Sequence, residues 1–283
     1  MIEKSQRFEN RQIMKNKTFE IFHYIEPKSS SVEVHDHDFY EVYFLLNGDV
    51  SYWVEGQVYN LEPGDMLLIN PLVLHRPIVL ENSKVYERIV LWINKSYLDE
   101  MLVDDLSGCF KKVLETKNCL VKTSKEFELF NLTSNLSNLI REYYGNDFGS
   151  ELYAQSVFTQ FMIELNRVVS KSKIDEMKTQ RQSQLVSKVL KYIDKNYDKE
   201  LSLDMLSNNF YVSKYYLSHE FSKEVGTGVY RYIMLKRLTA AKQMLNQGLQ
   251  ATDVCYKCGF KDYTNFYRAF KSEYGVSPKN NKR

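Results

Sequence analysis

Four side chains in the first eighty residues are of types that can grip a metal ion or line a polar pocket: His35, His37, Glu41 and His75. On an extended strand, residues two apart share a face, so His35, His37 and Glu41 point the same way. With His75 arriving from another strand, they can surround one atom inside a barrel. Imidazole and carboxylate suit first-row transition metals, which makes these four the candidate metal ligands. Joined by Tyr43 and Trp53, the same groups also suit a pocket for a small polar effector. A hydrogen-bonded polar cluster that holds nothing is the third reading, and all three stay open.

The four cysteines are Cys109, Cys119, Cys255 and Cys258. Cys255-x-x-Cys258 has the spacing of half a zinc site, but the other two are far upstream and separated by nine residues, whereas a structural zinc wants two tight pairs. All four read as thiols in a reducing compartment, and Cys255 and Cys258 as small residues packed inside a helical unit. No catalytic constellation and no resident cofactor are implied.

A second set of residues suits DNA. Tyr215, Ser218 and His219 lie on one face of a helical pattern, and Tyr263, Thr264, Tyr267 and Arg268 on another. Arginine can pair with both acceptors of guanine, while tyrosine and threonine reach phosphates or thymine methyls. A merely solvated face is the alternative. Charge favours DNA: Leu185–Arg283 holds 17 basic and 9 acidic residues, against 21 and 27 in the rest, although the whole chain is only +2. A basic segment on an acidic body is the electrostatic footprint of nucleic-acid binding.

The elements that must position these groups change along the chain. Glu41–Leu46, Val50–Val54, Met66–Ile69 and Arg88–Ile93 are short β-branched and aromatic runs separated by turn signals, which predicts a small barrel or sandwich. Asn47-Gly48 fits a type I′ hairpin turn and Glu62-Pro63-Gly64-Asp65 a type II turn. From about Lys125 the apolar spacing turns helical, through Leu129, Leu132, Leu136, Leu139, Ile140 and Tyr143, then Phe158, Phe161, Met162, Leu165 and Val169. Two amphipathic helices follow, able to pack on the barrel or pair with a second subunit. Ser170–Gln184 is polar throughout and reads as a linker.

Beyond it the chain repeats itself. Asp204, Ser213, Leu217, Phe221, Glu224 and Gly226 return 49 positions later as Asp253, Asp262, Phe266, Phe270, Glu273 and Gly275. Each copy reads as helix, turn and helix, with Ser213 and Asp262 as N-caps, Gly226 and Gly275 as stops, and Gly259 in the second turn. Between the copies Val229–Asn246 predicts a linking helix of about 27 Å, near the ~34 Å between successive major-groove faces.

Arg237-Leu238, Ala241, Leu245, Asp253, Gly259-Phe260, Asp262, Phe266, Arg268, Phe270-Lys271, Gly275 and Ser277-Pro278 resemble the signature of the AraC/XylS transcription regulators. The resemblance covers Leu185–Arg283 and implies seven helices with two DNA-reading motifs. Cys255, Ser207 and Asn280-Asn281 depart from it. The His/Glu set resembles the cupin motif, whose metal-binding members use this quartet. Its second half is partly met, by Gly64-Asp65 and Pro71.

The fold class expected is α+β: an N-terminal cupin-like β-barrel with two helices (1–170, effector sensing and dimerisation), a linker (171–184), and an all-α double helix-turn-helix domain (185–283). Family resemblance implies a non-enzymatic regulator of double-stranded DNA, more often an activator, that answers a small polar effector such as a sugar, dimerises and contacts RNA polymerase. With no signal-peptide core and no apolar run of ~20 residues, a cytoplasmic protein without membrane partners is expected. The alternatives are a metal-dependent cupin enzyme with an appended helical domain, and an architectural DNA binder without effector.

Overall fold

The computed structural model describes residues 13–26, 32–79, 85–101, 105–123, 126–171 and 183–280. Eight strands come first: β1 (Phe19–Glu26), β2 (Tyr40–Asn47), β3 (Val50–Val54), β4 (Gln57–Leu61), β5 (Met66–Ile69), β6 (His75–Val79), β7 (Tyr86–Ile93) and β8 (Leu120–Val121). Among the described residues they do not close into the expected barrel. They form a five-stranded sheet in the order β1-β7-β2-β5-β8 and a three-stranded sheet in the order β4-β3-β6. Aromatic and aliphatic side chains from both, including Tyr43, Leu45, Tyr52 and Leu67, fill the space between them.

That topology corrects one turn. Asn47-Gly48 makes no hairpin, because β2 pairs with β5 and β7 while β3 pairs with β4 and β6. Only Gly48 has positive φ, and the chain there crosses from one sheet to the other. The two-residue hairpin turn is Glu55-Gly56, between Val54 and Gln57, with φ of 45° and 85°. Both central residues are positive, as a type I′ turn requires. At Pro63-Gly64 the expectation holds: Gly64 has φ 97°, and Asp65 N–H donates to the Glu62 carbonyl at 2.9 Å.

After the short helices α1 (Lys95–Asp99) and α2 (Gly108–Thr116) come α3 (Glu126–Tyr143) and α4 (Ser150–Lys171). Their apolar stripes are buried on the outer face of the five-stranded sheet, where Leu132, Leu136, Phe158 and Phe161 meet Phe19, Val42 and Phe44. The helical residues found by periodicity thus serve the core of this chain. Phe127, Phe130 and Leu152 stay on the outside. Most of the expected linker, 172–182, lies outside the described residues.

The C-terminal part is helical: α5 (Gln184–Asn196), α6 (Leu203–Asn209), α7 (Lys214–Val225), α8 (Val229–Asn246), α9 (Ala251–Lys257), α10 (Tyr263–Tyr274) and a closing 3-10 turn at Pro278–Asn280. It has two cores on one spine. α5, α6, α7 and the first half of α8 bury Val189, Leu217, Phe221 and Tyr232 together. The second half of α8 gathers Leu238 and Leu245 with Phe266 and Phe270 of α10 and with Cys255 and Cys258, which are free thiols.

Candidate DNA-reading helices and a buried histidine–glutamate cluster

The two copies are built alike. Ser213 accepts a hydrogen bond from Tyr216 N–H at 3.2 Å, and Asp262 from Asn265 N–H at 2.8 Å, so α7 and α10 both begin on side-chain caps. Leu217 and Phe221, like Phe266 and Phe270, face inward four residues apart. Gly226 and Gly275 end the helices at φ of 84° and 71°. The inter-helix turns take positive φ at Gly259, 80°, and at Tyr211, 55°. A tyrosine in the first copy hides what the glycine announces in the second.

The opposite faces are open to solvent. Tyr215 and His219 are exposed, with rings stacked 6.3 Å apart, and Ser218 beside them is half-buried. On α10, Thr264, Tyr267 and Arg268 are exposed, whereas Tyr263 leans on Phe266 and is half-buried. Sequence reasoning passed over Lys214 and Asn265 in the first turns of the two helices. Both are exposed, and their position just after a cap was the available signal. The spine α8 has 18 residues, about 27 Å at ~1.5 Å each.

In the β domain the quartet comes together, though not on one strand. Glu41 is on β2, His75 begins β6, and His35 makes an isolated bridge to His75. His37 follows in irregular chain, yet alternation persists: His35 and His37 turn inward and Asp36 outward. Ligand atoms of His37, Glu41 and His75 all lie within 4.8 Å of one another. The His35 ring sits 4.4 Å from that of His75.

Hydrogen bonds fix the tautomers. His35 Nδ1 is 2.8 Å from the Glu33 carbonyl, His37 Nδ1 3.0 Å from that of Phe39, and His75 Nδ1 2.8 Å from that of Val73. A carbonyl only accepts, so each Nδ1 carries the proton and each Nε2 is left as the second functional atom. His75 Nε2 is buried without a partner. Burial holds His75 well below the ordinary imidazole range and His35 down at about 4, so both are neutral. Burial pushes the Glu41 carboxyl up, but the hydrogen bond and charge of His37, 3.1 Å away, outweigh it and bring Glu41 to about 2. Trp92 Nε1 also donates to Glu41, at 2.9 Å. His37 Nε2 faces the Glu41 carboxylate and donates to it, so the buried ring nitrogen left without a partner in the cluster is His75 Nε2.

The partly open cavity beside the cluster is lined by His35, Glu41, Tyr43, Tyr52, Arg88 and Trp92 and has a volume of about 50 Å³. Trp53 is not there. It is fully buried against the helical part, with its ring 6.3 Å from Tyr232, so it leaves the effector-pocket set.

Comparison with known proteins settles the family. Residues 19–162 match the model of the AraC-like ligand binding domain, and residues 206–283 that of a helix-turn-helix domain. The chain belongs to the AraC family of DNA-binding transcription regulators. The HTH-type transcriptional activator RhaS of Escherichia coli is 21% identical over 262 residues, 90% of each chain. The C-terminal domain of AraT, a response regulator from Geobacillus stearothermophilus, is 28% identical and covers 36% of this chain and 87% of its own, with a TM-score of 0.36. ToxT from Vibrio cholerae is 14% identical, covering 93% of this chain and 96% of its own, with a TM-score of 0.37. The metal-dependent enzyme alternative falls to the family assignment.

In this AraC-family regulator the ligand-binding and DNA-reading parts touch through polar contacts that no sequence motif announces. Arg76 on β6 donates to the Val225 carbonyl at 2.8 Å, at the C-terminal end of α7, where a cation complements the helix dipole. Lys236 on α8 bridges Glu55 and Asp194 at 2.9 Å each. Despite burial, those two carboxylates raise its pKa. Asp36 Oδ2 accepts from Thr239 Oγ1 at 2.6 Å and from the Tyr274 hydroxyl at 3.2 Å, while Lys242 pairs with Asp38 at 3.0 Å. Such pairs are 200 or so positions apart in the chain, beyond any local pattern.

Proposed function

We propose that this regulator reads double-stranded DNA in a sequence-specific way with α7 and α10 in successive major grooves, and activates transcription in answer to a small effector held by the β domain. The observation that carries the reading is the pair of capped, outward-facing helices on one continuous 18-residue spine. Tyr215, Ser218 and His219 face one half-site; Thr264, Tyr267 and Arg268 face the other, with Tyr263 shaping the helix more than touching bases. The cavity lined by His35, Glu41, Tyr43 and Arg88 supports a small polar effector. The exposed Phe127, Phe130 and Leu152 on α3 and α4 support a homodimer through that face, and family membership supports contact with RNA polymerase. No helix of the described residues is long and apolar enough to cross a membrane, in keeping with work in the cytoplasm.

The test is selection of duplexes from a random-sequence pool by the full chain. Enrichment of one sequence with two half-sites about one helical turn apart is the expected result. A pool that stays random, with binding that salt alone governs, would overturn sequence-specific reading.

A further inference from the structure

Where the β domain meets the helices, two paired stretches of chain form one wall. His35 N–H donates to the His75 carbonyl at 3.2 Å, and His75 N–H donates back to the His35 carbonyl at 3.0 Å. The next residues, Asp36 and Arg76, turn toward the helices, and each grips a different reading unit. Arg76 Nε donates to the Val225 carbonyl at 2.8 Å and Nη2 to that of Glu224 at 3.4 Å, in the last turn of α7. The approach is so close that a Cβ at Gly226 would collide with the guanidinium. Asp36 Oδ2 accepts from Thr239 Oγ1 on α8 at 2.6 Å and from the hydroxyl of Tyr274, the last residue of α10, at 3.2 Å. The Tyr274 ring stands 4.8 Å from that of Phe270 and 4.2 Å from Lys242 Nζ, and Lys242 in turn pairs with Asp38 at 3.0 Å.

We propose that Asp36 and Arg76 are positioning residues for DNA reading: from one wall of the β domain they hold the last turns of α10 and α7, and so fix the angle between the two reading helices. The inference rests on the two-helix reading above for its consequence at DNA. Both hydrogen bonds of the Asp36 carboxylate run to the helices, and Oδ1 is buried with no partner among the described residues. Burying a half-satisfied carboxylate costs free energy that apolar packing would avoid, so what the group contributes is a defined geometry. α7 and α10 have 12 residues each, about 18 Å at ~1.5 Å per residue. A shift of the last turn therefore swings the first turn, where the base-facing side chains begin. The spine α8 sets the distance between the units, and the wall sets their mutual tilt. Arg231–Glu273 and Lys261–Glu200 also join the units, at 2.7 Å each, but Arg231, Lys261 and Glu200 are exposed, and ion pairs open to water hold geometry weakly.

The experiment uses the full chain, the variants Tyr274→Phe and Arg76→Ala, and the two combined. Tyr274→Phe removes only the hydroxyl that reaches Asp36. Each protein is titrated against the selected duplex and against the same duplex with about five base pairs inserted between the half-sites, where one reading helix alone can engage. Each single variant should lose about fivefold or more on the intact duplex, the low end of an ordinary coupling, and stay within about twofold of wild type on the inserted one. The double variant should lose little more than the weaker single, because releasing either unit already frees the angle. Unchanged affinity for the intact duplex, equal losses on both duplexes, or losses that simply add in the double variant would each overturn the positioning. A second readout needs no DNA: spin labels at Lys214→Cys and Thr264→Cys, in the exposed first turns of α7 and α10, the four native thiols being buried. One narrow distance distribution is expected in the otherwise wild-type chain and a broader one with Tyr274→Phe or Arg76→Ala; equal widths overturn the inference. If the widths respond but the wild-type chain binds both duplexes alike, the two-helix reading fails and the positioning stands.

Discussion

Arg268 stands on the exposed face of α10, six residues past the cap at Asp262, where a side chain entering a major groove meets base edges. Its replacement by alanine should cost about 1–3 kcal/mol on the selected duplex and far less on a scrambled one. Lys257, exposed at the end of α9, suits a phosphate; Lys257→Ala should weaken both duplexes alike and flatten the salt slope by about one. Equal losses for Arg268→Ala on the two duplexes would assign it to the phosphate track instead. Gly259 is a purely structural residue of the same unit. A Cβ there would lie 2.6 Å from the Asp198 carbonyl oxygen, at a φ of 80°. Thermal unfolding of Gly259→Ala should show a loss of more than about 1 kcal/mol.

At the scale of elements, caps and apolar stripes were legible because they are local. Ser213, Asp262, Gly226 and Gly275 announce both reading helices, and the linking helix has the bounds that periodicity sets, Val229–Asn246. The β domain was harder. β1 (Phe19–Glu26) is buried nearly throughout and shows no alternation, and β4 and β6 are five residues each. Sheet partners are set by long-range pairing, so Asn47-Gly48 looks like a hairpin in sequence and is a crossing in space. The His/Glu set was found from spacing, but the role given to Trp53 was wrong: its face on β3 turns toward Tyr232, which no local rule states. Asp262→Ala, which removes a cap without touching the core, should cost about 0.5–2 kcal/mol in unfolding and weaken DNA binding by fraying the start of α10. An unchanged melting curve would mean that the cap contributes nothing.

Over the whole molecule the ligand-binding and DNA-reading parts are held by a shared apolar patch, Val34, Trp53 and Leu74 against Tyr232 and its neighbours, ringed by Arg76, Lys236 and Asp36. Arg76→Ala removes the cation from the end of α7 and leaves the Val225 carbonyl without that donor. Faster hydrogen exchange at the end of α7, with the β domain unchanged, is expected; uniform exchange across the chain would deny the contact a role in docking. The DNA-reading part puts two helices on one rigid spine, so spacing is the property that it cannot relax. The decisive measurement is the affinity of the full chain for its selected duplex before and after insertion of about five base pairs, half a helical turn, between the two half-sites. The insertion should turn one half-site to the far side of the duplex and reduce binding to that of a single half-site. Affinity that survives the insertion undiminished would contradict reading by α7 and α10 together.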